Sequence, residues 1–158
     1  MNEIILFSKQ GLGLTPDEMN DIFTAAGKSG FTWKANREFA ASARAAGIDI
    51  PQDREYDDTC CSETDAIMLS CGGDGTFLEA AKYAYRNRLP ILGINYGHLG
   101  FLANTPRGGM DEIFAQLHNR RYDIQPRTML HISSHNGIPD SHPYALNEFT
   151  LHRTEPSM

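Results

Sequence analysis

Positive charge is scarce in this chain. Its 158 residues carry 14 Lys and Arg against 20 Asp and Glu, a formal net charge of −6. A nucleic-acid binder usually offers a basic face, so this balance argues against one. Cysteine is sparse too: Cys60, Cys61 and Cys71 are the whole supply. Neighbouring Cys60 and Cys61 do not form a usual structural bridge, and no C-x-x-C spacing exists. The low, odd count favours a reducing cytoplasm over a disulfide framework. No apolar run approaches the ~18 residues of a membrane span. The start, Met-Asn-Glu-Ile-Ile-Leu-Phe, lacks the basic region and long apolar stretch of a signal peptide. Internal repeats and low-complexity stretches are absent. What remains is the expectation of a soluble intracellular chain, long enough for one full domain and short for two.

The pattern of apolar residues reads as alternating strands and helices. Residues 4–7 (Ile-Ile-Leu-Phe) form the continuous run of a buried strand. Thr15-Pro16-Asp17-Glu18 then opens a helix. Thr15 suits the N-cap, Pro16 the first helical position, and Glu18 completes a capping box. Met19, Ile22, Phe23 and Ala26 follow at helical spacing. Residues 31–34 read as a second strand, 36–46 as a second helix, and the polar stretch 51–64 as a loop. Residues 66–69 (Ala-Ile-Met-Leu) read as a strand, 75–86 as a helix, 91–94 as a strand and 109–117 as a helix. This predicts an α/β fold over residues 1–126: a Rossmann-like parallel sheet with flanking helices. Beyond Pro126 the character changes. Residues 128–133 and 144–152 read as strands joined by a polar loop containing Asn136-Gly137. Residues 127–158 therefore read as the first strands of a β-rich domain.

Chemistry concentrates at Gly72-Gly73-Asp74-Gly75-Thr76, where a predicted strand hands over to a helix. A helix start presents free N–H groups and a partial positive charge, and glycines let a phosphate lie against the backbone. Asp74 is the informative residue. A carboxylate beside a phosphate is repelled unless a metal compensates or a hydroxyl gives it a proton. The plain alternative makes Asp74 a helix N-cap, with Thr76 helping to cap. Other nucleotide patterns fail. Gly27-Lys28-Ser29 mimics the end of a P-loop, but the earlier glycine position holds Ile22. From Gly73, the third glycine of G-x-G-x-x-G falls on Leu78.

Gly-Gly-Asp-Gly-Thr resembles a superfamily that includes NAD kinases, diacylglycerol and sphingosine kinases, and 6-phosphofructokinases. Residues 93–102 (Gly-Ile-Asn-Tyr-Gly-His-Leu-Gly-Phe-Leu) resemble the narrower NAD kinase pattern G-(I/V)-N-x-G-x-L-G-F-L. Asn147-Glu148 is similar to the Asn-Glu pair of that family, in the same order along the chain. The resemblance implies transfer of the terminal phosphoryl group of ATP, or of inorganic polyphosphate, to the adenosine-ribose 2′-hydroxyl of NAD, giving NADP. It implies Asp74 as proton acceptor, Gly75 as a backbone contact, and Asn147 and Glu148 as partners of the ribose hydroxyls. It puts His98, Phe101 and Leu102 in the adenosine pocket. Gly72, Gly73, Thr76, Phe77, Asn95 and Gly100 complete the implied nucleotide site. A divalent cation, usually Mg²⁺, would accompany the donor, and the family forms homo-oligomers. NAD kinases continue well past their Asn-Glu pair, so the resemblance also implies that residues 127–158 are a truncated β domain and that the chain alone is inactive.

Plainer readings stand beside these. Asn147-Glu148 could be solvent-facing residues on an edge strand, Phe101 could be core packing between Leu99 and Leu102, and His98 an ordinary loop histidine. Two functional rivals remain: a lipid or sugar kinase of the same superfamily, and a non-catalytic nucleotide-binding module.

Overall fold

A computed structural model of the chain describes residues 3–9, 13–56, 65–98, 100–107, 109–133 and 143–150. Twelve elements follow one another among them: β1 (Glu3–Phe7), α1 (Pro16–Lys28), β2 (Thr32–Asn36), α2 (Arg37–Ala45), β3 (Glu55–Tyr56), β4 (Ala66–Gly72), α3 (Asp74–Arg86), β5 (Ile91–Asn95), β6 (Thr105–Pro106), α4 (Met110–His118), β7 (Leu130–His131) and β8 (Tyr144–Ala145). The chain divides into two compact units, Met1–Ile124 and Gln125–Met158. The first holds the large sheet and all four of these helices; the second holds the β7–β8 pair.

In the first unit six parallel strands pair in the order β3-β2-β1-β4-β5-β6. Central β4 is buried from end to end and carries the apolar run expected of a strand covered on both faces. β1 shows the alternation that divides the core. Ile4 and Leu6 pack with Ile22 and Phe23 of α1, Phe39 and Ala43 of α2, and Phe114 and Leu117 of α4. Ile5 and Phe7 face the other way, against Ala80 and Ala84 of α3. Successive strand side chains point to opposite faces, so each β1 residue is committed to one layer. α1 and α3 therefore cover opposite faces, and the winding reverses between β1 and β4. In open parallel sheets, ligands bind at the carboxyl ends of the two strands flanking such a reversal.

The start of α1 follows its sequence signals. Thr15 caps it: the Glu18 N–H donates to Thr15 Oγ1 at 3.2 Å, and the Thr15 N–H donates to Glu18 Oε2 at 2.9 Å. Other expectations shift. The described part of the 51–64 loop, residues 51–56, contains a 3-10 turn (Gln52–Arg54) and β3. That strand is held by tertiary partners: it pairs with Ala35 and Asn36, and Glu55 is bridged to Arg44 and, at 3.9 Å, to Arg37. Residues 57–64, with Cys60 and Cys61, lie outside the described residues.

In the second unit the strands are much shorter than 128–133 and 144–152. Leu130–His131 pairs antiparallel with Tyr144–Ala145. Leu130 and His131 are exposed, so this short ladder buries little apolar surface; one further bond, from the Ile132 N–H to the Pro143 carbonyl at 2.8 Å, continues it. The loop with Asn136-Gly137 and residues 151–152 lie outside the described residues. Among the described residues no helix is long and apolar enough to cross a membrane.

Candidate functional site

The candidate site forms where β4 ends. Gly72 closes the strand, Gly73 is the N-cap of α3, and Asp74 is the first helical residue. No side chain caps this end, which corrects the capping alternatives for Asp74 and Thr76. An uncapped first turn leaves N–H groups for an anion. Thr76 is buried instead against Gly72, where any side chain on residue 72 would collide with the Thr76 hydroxyl.

Asp74 reaches across to the segment after β5. Its Oδ2 accepts the Phe101 N–H at 2.8 Å, and its Oδ1 accepts the Leu102 and Ala103 N–H groups at 3.0 Å each. Gly100 makes this possible, because a Cβ there would run into the carboxylate. Hydrogen bonds from the backbone of Ala103 first, then Phe101 and Leu102, hold the Asp74 carboxyl below its ordinary range despite some opposing desolvation. The group is ionised at neutral pH.

Residues 95–98 form a turn beside the glycines. The Gly97 N–H donates to Asn95 Oδ1 at 2.9 Å, and Asn95 Nδ2 donates to the His98 carbonyl at 3.0 Å. Both ends of the Asn95 amide thus shape this turn. The Tyr96 N–H donates to the Gly72 carbonyl at 3.2 Å, zipping the two turns together. Phe77 packs on Gly93, where an added Cβ would lie 2.7 Å from the ring and 2.8 Å from Ala103 Cα.

The structure therefore brings Gly72, Gly73, Asp74, Gly75, Thr76, Phe77, Asn95, His98, Gly100, Phe101 and Leu102 to one end of the sheet. Phe101 is 97% exposed, so the core-packing alternative is wrong. Its backbone is tied to Asp74 while its ring faces outward. His98 is exposed as well, and Leu99 lies outside the described residues. Asn147 and Glu148 belong to the second unit. They are exposed and lie past the end of β8, after Leu146, so they do not sit within an edge strand.

Three residues that the sequence reading passed over also belong to this end. Asn36 clamps Ser8: its Oδ1 accepts the Ser8 N–H at 3.0 Å, and its Nδ2 donates to the Ser8 carbonyl at 2.9 Å. Ser8 Oγ donates to the Cys71 carbonyl at 2.8 Å. Lys9 follows at the exit of β1. The switch from Phe7 to Ser8-Lys9 was the available signal. A cavity of about 500 Å³ opens on the α1–α4 side of the 95–98 turn, between α1 and the start of α4, lined by residues such as Asp21, Lys28, Tyr96 and Asp111.

A known protein family matches a part of the chain that includes residues 72–102. The family model described as ATP-NAD kinase N-terminal domain matches residues 15–122, more than half of the chain. The chain belongs to the NAD kinase family. The NAD kinase of Bacteroides fragilis is 37% identical over 91 residues, covering 58% of this chain and 31% of that protein. That of Corynebacterium diphtheriae is 39% identical over 93 residues, covering 58% and 29%. That of Cutibacterium acnes is 31% identical over 114 residues, covering 71% and 34%. The chain thus spans about a third of the length of the curated relatives it matches.

Proposed function

We propose that the protein transfers the terminal phosphoryl group of ATP or polyphosphate to the adenosine-ribose 2′-hydroxyl of NAD, yielding NADP, with Asp74 accepting the hydroxyl proton. The observation that carries this reading is the hydrogen-bonding of the Asp74 carboxylate. A carboxylate offers about four lone-pair sites. Oδ1 already accepts two N–H groups and Oδ2 one, so Oδ2 keeps one site for an incoming hydroxyl. Three N–H anchors fix its direction, which is the positioning such transfers depend on.

A hydrogen-bonded carboxylate is a weak base, and a loose phosphoryl-transfer transition state tolerates one. The ribose oxygen forms its bond to phosphorus as the bond to the leaving phosphate breaks. The hydroxyl grows acidic along that path, and its proton passes to Asp74 Oδ2. The helix start and the glycine turn would hold donor phosphates, and Phe101, His98 and Leu102 the adenosine. Asn147 and Glu148 would meet the ribose hydroxyls, with 1–126 as the nucleotide-site domain and 127–158 as the opening of a β-rich one.

A divalent cation such as Mg²⁺ fits as a companion of the donor. Among the described residues no three His, Cys, Asp or Glu side chains converge. Magnesium bound through substrate phosphates and water needs only one or two carboxylates from the protein. When bound it would neutralise charge on the transferring group.

The test is acceptor choice. The protein expressed from its own gene is given ATP and Mg²⁺ with NAD, diacylglycerol or fructose 6-phosphate. Formation of NADP supports the proposal, and phosphorylation of only the lipid or the sugar overturns it.

A further inference from the structure

We propose that Lys9 is a phosphate-binding cation of this site, contacting the polyphosphate chain of the phosphoryl donor in the crevice between β1 and β4. The inference deepens the phosphoryl-transfer reading above and rests on it.

Three observations converge on Lys9. The first is its place. β1 pairs with β4 in the register Phe7↔Ser70. One step further on, Ser8 reaches the Cys71 carbonyl, and the same register carried one more residue points Lys9 toward the level of Gly72. Lys9 therefore stands at the exit of one strand of the reversal, beside the glycine turn that ends the other.

The second is its face. Ile5 and Phe7 point toward α3, and two-residue alternation puts Lys9 on that side. The ammonium lies there, with Nζ 3.8 Å from Glu79 Oε2 of α3. That is the layer whose uncapped helix start carries Asp74. The backbone that presents Lys9 is fixed, because the Asn36 amide holds Ser8 by both its N–H and its carbonyl.

The third is its replaceable partner. The Lys9–Glu79 pair is long and both side chains are about one-third exposed, at 38% and 31%, so it contributes little. Glu79 also has Lys82 Nζ at 3.2 Å. When Lys9 turns to a phosphate, Glu79 keeps a counter-ion. The electrostatic need is plain: the chain is net negative and the site already holds the ionised Asp74. A polyphosphate there requires a cation, and an ammonium on a flexible stem suits a mobile phosphate chain.

The experiment titrates the protein expressed from its own gene with inorganic tripolyphosphate by calorimetry, as wild type, Lys9→Met and Lys9→Arg. Thermal melting should be nearly unchanged in both variants. Lys9→Met should weaken tripolyphosphate roughly 10-fold or more, Lys9→Arg should restore most of it, and the salt dependence should flatten in Lys9→Met. Equal binding by Lys9→Met and wild type overturns the assignment, as does a wild type that binds no tripolyphosphate. Failure of the activity reading looks different. Lys9-dependent binding without NADP formation from any donor would leave Lys9 a phosphate ligand and remove the proposed reaction.

Discussion

The Asp74 carboxylate occupies the space that a side chain on residue 100 would fill. The pair lies 26 residues apart, and one requires the other to be glycine. Gly100→Ala should therefore expel the carboxylate from its three N–H partners. Overpacking of this kind costs about 1–3 kcal/mol. Urea denaturation of the variant should show that loss, and the double variant with Asp74→Ala should lose less than the sum of the two single changes, because they share one contact.

Gly93→Ala should be destabilising by a similar amount, about 1–3 kcal/mol, for a separate reason. The new methyl would meet the Phe77 ring at 2.7 Å and the Ala103 Cα at 2.8 Å. The backbone contact cannot yield by a rotamer change. Thermal melting checks it, and pairing with Phe77→Leu should recover only part of the loss.

Acid should reveal the Asp74 anchor. Its backbone partners, Ala103 first, depress the carboxyl in the folded chain, whereas an unfolded Asp titrates near ~3.9. A depressed acid adds stability that is complete above the unfolded value and disappears as pH falls through the folded one. The stability gap between wild type and Asp74→Asn should thus stay constant from about pH 7 to about pH 5 and narrow below that. Chemical denaturation across this range measures it; a gap that widens in acid contradicts the hydrogen-bond assignment.

Cys71 should be inert while the chain is folded. Burial pushes its thiol up to about 12, and the thiolate is the reactive form. Iodoacetamide at about pH 8 should leave the Cys71 peptide unmodified and label it only in concentrated guanidinium. Peptide mapping by mass spectrometry distinguishes the outcomes.

Local chemistry made some of this legible in the sequence and hid the rest. The α1 capping box and the glycine turn are contiguous signals, and each stands where it was expected. β3 was invisible because Glu55-Tyr56 sits in a polar stretch and is a strand only through Ala35, Asn36 and Arg44. Phe101 was ambiguous for the opposite reason. Its apolar neighbours suggested packing, yet its position is set by a backbone N–H given to Asp74. The use of Asp74 as a three-way anchor, and of Asn36 as a clamp on Ser8, depends on residues 27 to 29 positions away. Neither periodicity nor local spacing encodes such a contact.

The most direct test of the proposed chemistry is turnover by Asp74→Asn in the protein expressed from its own gene, measured as NADP formation alongside NAD binding by calorimetry. Loss of the proton acceptor should lower kcat by roughly 100-fold or more and leave NAD affinity within a few fold. Turnover matching wild type, or NAD binding that tightens in a protein with no kinase activity in either form, would contradict the account.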